Sequence, residues 1–157
     1  MWCCGPGSKR REMKPRAMMI IHNFRPGPTG GAELQAERLS KALAAMDHEM
    51  QVLTWLSVPD APMEEMSDGV RIHRVPFRLP YWITLDNSNT FHFLVRQRNT
   101  YDILHAHLAF GHAVMAVVAA RLLEKRSVVK IACSGEYGDM AVFSKFYKFS
   151  GIHGRAV

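Results

Sequence analysis

Short apolar runs rich in Ile, Val and Met alternate along this chain with segments whose apolar residues recur every three or four positions, and that alternation sets the expected order of elements. Residues 17–23 (AMMIIHN) predict a first strand, apolar on both faces as a strand covered by helices on two sides must be. After a loop over 24–30, residues 31–46 carry Ala32, Ala36, Leu39, Leu43 and Met46 at helical spacing and predict an amphipathic helix. Glu33 and Glu37 near its start suit the helix dipole, and Glu37 stands four residues before Lys41, a favourable pairing. Residues 50–56 (MQVLTWL) predict a second strand. Residues 57–69, with two prolines and four acids, predict a surface loop, and residues 70–76 (VRIHRVP) an alternating strand nearer a sheet edge, ended by Pro76. An irregular stretch over 77–89 and a weakly patterned helix over 90–98 follow. Then come a strand over 101–107, a helix over 110–124, a strand over 127–133 and a last short helix over 140–149. Strands alternating with crossover helices predict an α/β fold with a doubly wound parallel sheet.

Length and charge narrow the function classes. At 157 residues the chain holds one core and excludes a complete two-domain enzyme. Its net charge of +6 invites a nucleic-acid reading, but the first 16 residues carry +4 of it, and the remaining 141 carry only +2. No basic face large enough to follow a phosphate backbone is implied. Residues 1–16 mix Gly, Pro, Ser and charge without period and read as a disordered basic leader. Cys3, Cys4 and Cys133 form no disulfide framework, which places the chain in the cytosol. The longest uncharged stretch, residues 103–120, is broken by three histidines and a glycine, so no membrane span is expected.

In a doubly wound sheet the ligand site lies beyond the C-terminal ends of the strands. After the first strand, Gly30 and Gly31 open the helix with Glu33 close behind; two residues without Cβ let a ligand approach the backbone, and the amides of the first turn favour an oxygen-rich partner. A plain glycine-permitted turn is the alternative. The spacing is not G-x-G-x-x-G, no acid ends the second strand, and there is no P-loop Lys, so NAD and ATP fall behind. His105 and His107, two apart on a strand, share a face, with His107 nearer the mouth as the better ligand contact and His105 as a core histidine. The same geometry suits a metal pair, but a third ligand is only nominally available in His112 or His22, and no metal is assigned. Ser134, Gly135 and Glu136 follow the fifth strand as a further ligand loop. The cluster Phe143, Phe146, Tyr147 and Phe149 with Lys145 and Lys148 reads as core, as cover for a neighbouring domain, or as a peripheral contact with the inner membrane face.

Four stretches in order carry a family resemblance: the Pro-rich loop with Gly30-Gly31-Ala32-Glu33, the helix end running Leu43-Ala44-Ala45-Met46-Asp47-His48-Glu49 into Met50-Gln51-Val52-Leu53-Thr54, the strand of Val70 to Pro76, and Tyr101-Asp102-Ile103-Leu104-His105-Ala106-His107. Over residues 17–139 the chain resembles the N-terminal domain of glycosyltransferase family 4. The resemblance implies one Rossmann-like half, residues 17–150, of a GT-B enzyme, which transfers a hexosyl group with retention from a nucleotide-sugar to a glycan, lipid or small-molecule acceptor, without cofactor or metal. By position it gives Gly30 and Gly31 the loop role, His107 the catalytic strand-end role, and Ser134, Gly135 and Glu136 a place in the cleft wall. Family members bind the donor chiefly through a C-terminal domain with two glutamates separated by seven residues, and no two glutamates here stand at that spacing. The expectation is therefore a truncated acceptor-side half, inactive alone, or a non-catalytic subunit that needs a separate donor-domain chain.

Overall fold

The computed structural model describes residues 14–76 and 88–132, together with Gly138, Ala141 and Ser144. Its elements in chain order are β1 (Ala17–Ile20), α1 (Gly31–Ala45), β2 (Met50–Trp55), β3 (Glu64–Ser67), β4 (Val70–Val75), α2 (Ser88–Arg96), β5 (Ile103–His107), α3 (Gly111–Leu122) and β6 (Arg126–Lys130). The expected leader up to residue 13, the stretch 77–87, Cys133, the loop of Ser134, Gly135 and Glu136, and all of the 140–149 helix save Ala141 and Ser144 lie outside the described residues.

The six strands form one sheet in the order β3-β4-β2-β1-β5-β6, parallel except for β3. The chain therefore winds outward from β1 through β2 to β4, returns across the sheet to β5, and continues outward the other way. Winding reverses between β1 and β5, and it is in the crevice outside the strand ends at such a reversal that open α/β sheets bind ligands. Alternation along the strands divides the core in two. Met19, Ile21, Met50, Val52, Val70 and Ile72 face α1, whose Ala36, Leu39, Leu43 and Ala44 pack on them. Met18, Ile20, Leu53, Trp55, Leu104 and Ala106 face the other way, against Leu94 of α2 and Ala113, Ala116, Ala119 and Ala120 of α3. This is the Rossmann-like α/β fold expected.

Three differences from the sequence reading have local causes. The expected loop 57–69 contains β3, which pairs antiparallel with β4 through a two-residue turn at Asp68 and Gly69, whose φ angles are 50° and 77°. Positive φ at both central positions is the type I′ geometry that matches strand twist. Because β3 takes the edge, β4 is an inner strand and buries all but Arg71. Met46, expected on the apolar stripe, is the C-cap of α1 and is exposed. Arg16, grouped with the leader, instead clasps Asp102 through Nε to Oδ2 at 3.1 Å and a terminal nitrogen to Oδ1 at 3.0 Å, joining the start of β1 to the start of β5. That hydrogen-bonded guanidinium holds the Asp102 carboxyl down at about 2.

Burying β4 required partners for its polar side chains. Arg74, 2% exposed at its side chain, donates to the carbonyls of Pro62 and Arg25, each at 2.7 Å, and to Glu65 Oε1 at 2.5 Å. It thereby ties the hairpin to the loop after β1. In the same region the buried Glu37 accepts from Arg25 Nε at 2.7 Å and from Lys41 Nζ at 2.8 Å, the helical pair expected, and Lys41 reaches on to Asp68. Hydrogen bonds to the Glu37 carboxylate, that of Lys41 foremost, lower its pKa.

Arg74→Met keeps the stem but strands two carbonyls and the Glu65 carboxylate. It should cost about 3 kcal/mol in urea unfolding, the low end for a broken buried pair because Glu65 keeps some water. A loss under about 1 kcal/mol would show that Arg74 does not hold this loop.

Candidate functional site

The crevice is built by three segments: the loop after β1, the end of β5 with the turn to α3, and the start of α1. On the α3 side, His22 follows β1 and lies flat on the Trp55 ring at 3.9 Å and 20°, with Phe110 stacked on it at 5.6 Å. His112, on the first turn of α3, meets His22 edge-on, with Nδ1 2.6 Å from His22 Nε2. Its Nε2 lies 2.7 Å from the carbonyl oxygen of His107. A carbonyl only accepts, so His112 Nε2 must carry its proton. In neutral His112 the Nδ1 then accepts, and His22 Nε2–H donates to it. Proton positions are thus fixed by the chain of contacts, and the backbone of β5 is linked to that of β1, where Thr54 Oγ1 also donates to the His22 carbonyl at 2.9 Å.

Burial, reinforced by His112, pushes His22 down to about 2. His107 is pushed down to about 4, by burial first and then by His105, Lys130 and His112. At neutral pH both imidazoles are uncharged.

On the α1 side, His105 and His107 lie side by side as expected, their ring centroids 4.8 Å apart. Their exposure reverses the expected order. His107 has no accessible surface, whereas His105 is partly exposed. Neither ring nitrogen of His107 has a hydrogen-bond partner. His107 pairs in register with Lys130, whose ammonium reaches Gln35 Oε1 on α1.

Gly30 is the N-cap of α1 with φ of −103°, and its N–H donates to Glu33 Oε2 at 3.0 Å. Glu33 therefore caps its own helix. Gly69 alone among the described glycines has φ in the left-handed region, so neither Gly30 nor Gly31 is there because the backbone demands it. A Cβ on Gly31 would meet nothing within 4 Å, and one on Gly30 only the mobile end of Glu33, at 2.9 Å. Gly27 differs: a Cβ there would come 2.5 Å from Ser57 Oγ and 3.1 Å from the Phe24 carbonyl.

The structure thus places Gly30, Gly31 and Glu33 at the start of α1, and His107 on the strand face that α1 covers. Ser134, Gly135 and Glu136 lie outside the described residues. Among the described residues no group of three His, Cys, Asp or Glu comes together as a metal site. Sequence reasoning overlooked the stacking of His22 on Trp55, the His22–His112 link and the reach of Lys130. His22 was expected inside the first strand, residues 17–23, and nothing local hinted at its stacking.

A histidine kept neutral by burial makes unfolding take up a proton once pH falls below the unfolded value near 6.5. Its contribution is complete above that pH and declines from there towards the folded values, about 4 for His107 and about 2 for His22. Unfolding free energy should therefore fall between pH 6.5 and 4.5, by up to about 1.4 kcal/mol per pH unit for each such histidine. His22→Asn should flatten that slope by up to one proton. Equal slopes for the two proteins in urea titrations would contradict the assignment.

Comparison with known proteins agrees with this architecture. No curated protein matches the chain. Among solved structures, sucrose-phosphate synthase from Thermosynechococcus elongatus, a GT-B glycosyltransferase, is similar in fold, with a TM-score of 0.54 at 16% identity. The match covers 71% of this chain and 30% of that one, so the chain spans under a third of its length. Among the described residues no helix is long and apolar enough to cross a membrane. The family model for the glycosyl transferase 4-like domain matches residues 30–151, well over half of the sequence, and the chain belongs to that family.

Proposed function

We propose that this chain forms the acceptor-side wall of a cleft in which a hexosyl group passes from a nucleotide-sugar to a glycan, lipid or small-molecule acceptor with retention of configuration. The observation that carries the reading is the open start of α1. Gly30 and Gly31 stand where neither φ nor packing calls for glycine, at the mouth of the crevice and in a chain of this family. Close approach of a ligand backbone to the first-turn amides is what two missing Cβ atoms permit.

His107 supplies the directional contact. A neutral imidazole offers one N–H donor and one bare nitrogen, and a sugar hydroxyl both donates and accepts, so the two are complementary without a proton changing hands. Glu33 becomes a ligand contact only by releasing the Gly30 amide. Ser134, Gly135 and Glu136 are assigned further ligand contacts by their match to the family pattern. Positioning is the chief service such a wall provides, and it is realised only when the donor is held opposite, by a C-terminal domain or a separate chain. The separate-subunit reading draws on the outer face of α3, where Val114, Val118 and Leu122 are 38%, 41% and 69% exposed in one stripe.

The purified chain, offered nucleotide-sugars and acceptors, should release no nucleoside diphosphate above background, and turnover by the chain alone would overturn the half-cleft reading. Gly31→Val should leave stability within about 1 kcal/mol, because open space receives the side chain. The same substitution should weaken carbohydrate binding at least tenfold in calorimetry. Unchanged affinity, or no carbohydrate binding by the parent chain, would remove the sugar-transfer assignment.

A further inference from the structure

His107 is enclosed on every side, yet both ring nitrogens lack a hydrogen-bond partner. Groups of this kind are ordinarily satisfied in a folded protein, so its state calls for a reason. Across from it in register stands Lys130, the last residue of β6, on the same face of the sheet. Instead of extending into water, the Lys130 ammonium crosses to α1 and donates to Gln35 Oε1, joining positions 95 residues apart. Gln35 is exposed and lies four residues after Gly31, on the same helix face, where the surroundings of Gly31 are open. An unsatisfied imidazole, a cation spanning from β6 to α1 and an unfilled helix start thus lie on one side of one crevice.

We propose that Lys130 is a ligand-binding residue whose contact with Gln35 is a strap over His107, displaced when an anionic oxygen of the ligand takes the ammonium and so opens the imidazole to that same ligand. Gln35 offers a neutral amide oxygen at the surface, and a phosphate or carboxylate competes for an ammonium on better terms because its hydrogen bonds are charge-assisted. Among the described residues on and before α1, Glu33 is engaged with the Gly30 amide, and Arg25 and Lys41 with Glu37. The anion is either a phosphate on the acceptor or the diphosphate of the donor, which share this chemistry. For the ligand the proposal rests on the sugar-transfer reading, and for the strap it does not.

Two measurements on the full chain separate these parts. Diethyl pyrocarbonate labelling, read by peptide mass spectrometry, should modify His107 at least tenfold more slowly than the exposed His92. Gln35→Ala, at an exposed position, should raise the His107 rate several-fold with no change in melting temperature, and Lys130→Met should do the same. In calorimetry with glucose 6-phosphate, UDP and glucose as probes, Lys130→Met should weaken binding of the anionic probes at least tenfold and leave glucose unchanged. Stronger binding of glucose 6-phosphate would assign the anion to the acceptor, and of UDP to the donor. The strap is overturned if His107 labels as fast as His92 in the parent chain, or no faster in either variant. The anion role is overturned if Lys130→Met binds both charged probes as the parent does, or if only glucose binds at all. That last result would leave the sugar-transfer reading standing, whereas failure of every probe would remove it together with the anion role.

Discussion

β1 is flanked by parallel strands on both edges and covered by helices on both faces, and the rest of the structure follows from that enclosure. Met18, Met19, Ile20 and Ile21 are at most 2% exposed, each contributing about 2 kcal/mol by burial. From Ala17 to Ile21 every side chain of this segment is apolar, and its first polar one, His22, stands where the strand leaves the sheet. The same enclosure applies to β5, whose start is fixed to that of β1 by Arg16 and Asp102 and whose end is fixed through His112. Two strands anchored at both ends leave the crevice between them little freedom of shape.

Enclosure also determines the chemistry available at the crevice. Desolvation keeps His22 and His107 uncharged, which makes them hydrogen-bonding groups and removes them as cations or strong acids. In the proposed site, charge is supplied from the rim, by Lys130 on β6 and the amide end of α1. A surface of this type suits hydroxyl-rich ligands that carry an anionic group at one end. This is the chemical link between a fold shared with sucrose-phosphate synthase and the transfer function proposed for a chain of this family.

Most of the fold could be read from periodicity. β1, β2, β4, β5 and both long helices fall within a few residues of their expected bounds, because two-sided burial writes unbroken apolar runs and the helices carry a three-to-four spacing. β3 left no such trace, since Glu64-Glu65-Met66-Ser67 is a solvated edge whose only signal was the Asp68-Gly69 turn. The candidate site was legible as a location, at the strand ends, and much less as an arrangement. Which of His105 and His107 is covered depends on what packs over β5 from elsewhere in the chain, and Lys130 reaching Gln35 on α1 joins positions 95 residues apart. Stacking of His22 between Trp55 and Phe110 likewise needs a register and a helix entry that no local pattern encodes.

The proposed carbohydrate site is the C-terminal edge of the sheet, around the reversal between β1 and β5. Amide chemical-shift mapping on the labelled chain, titrated with a panel of nucleotide-sugars and oligosaccharides, tests it most directly. Binding at that edge should cluster the shifted amides at Gly30, Gly31 and His107 to Phe110. Shifts confined to the opposite edge, around Asp47, Glu49 and Asp102, would contradict it.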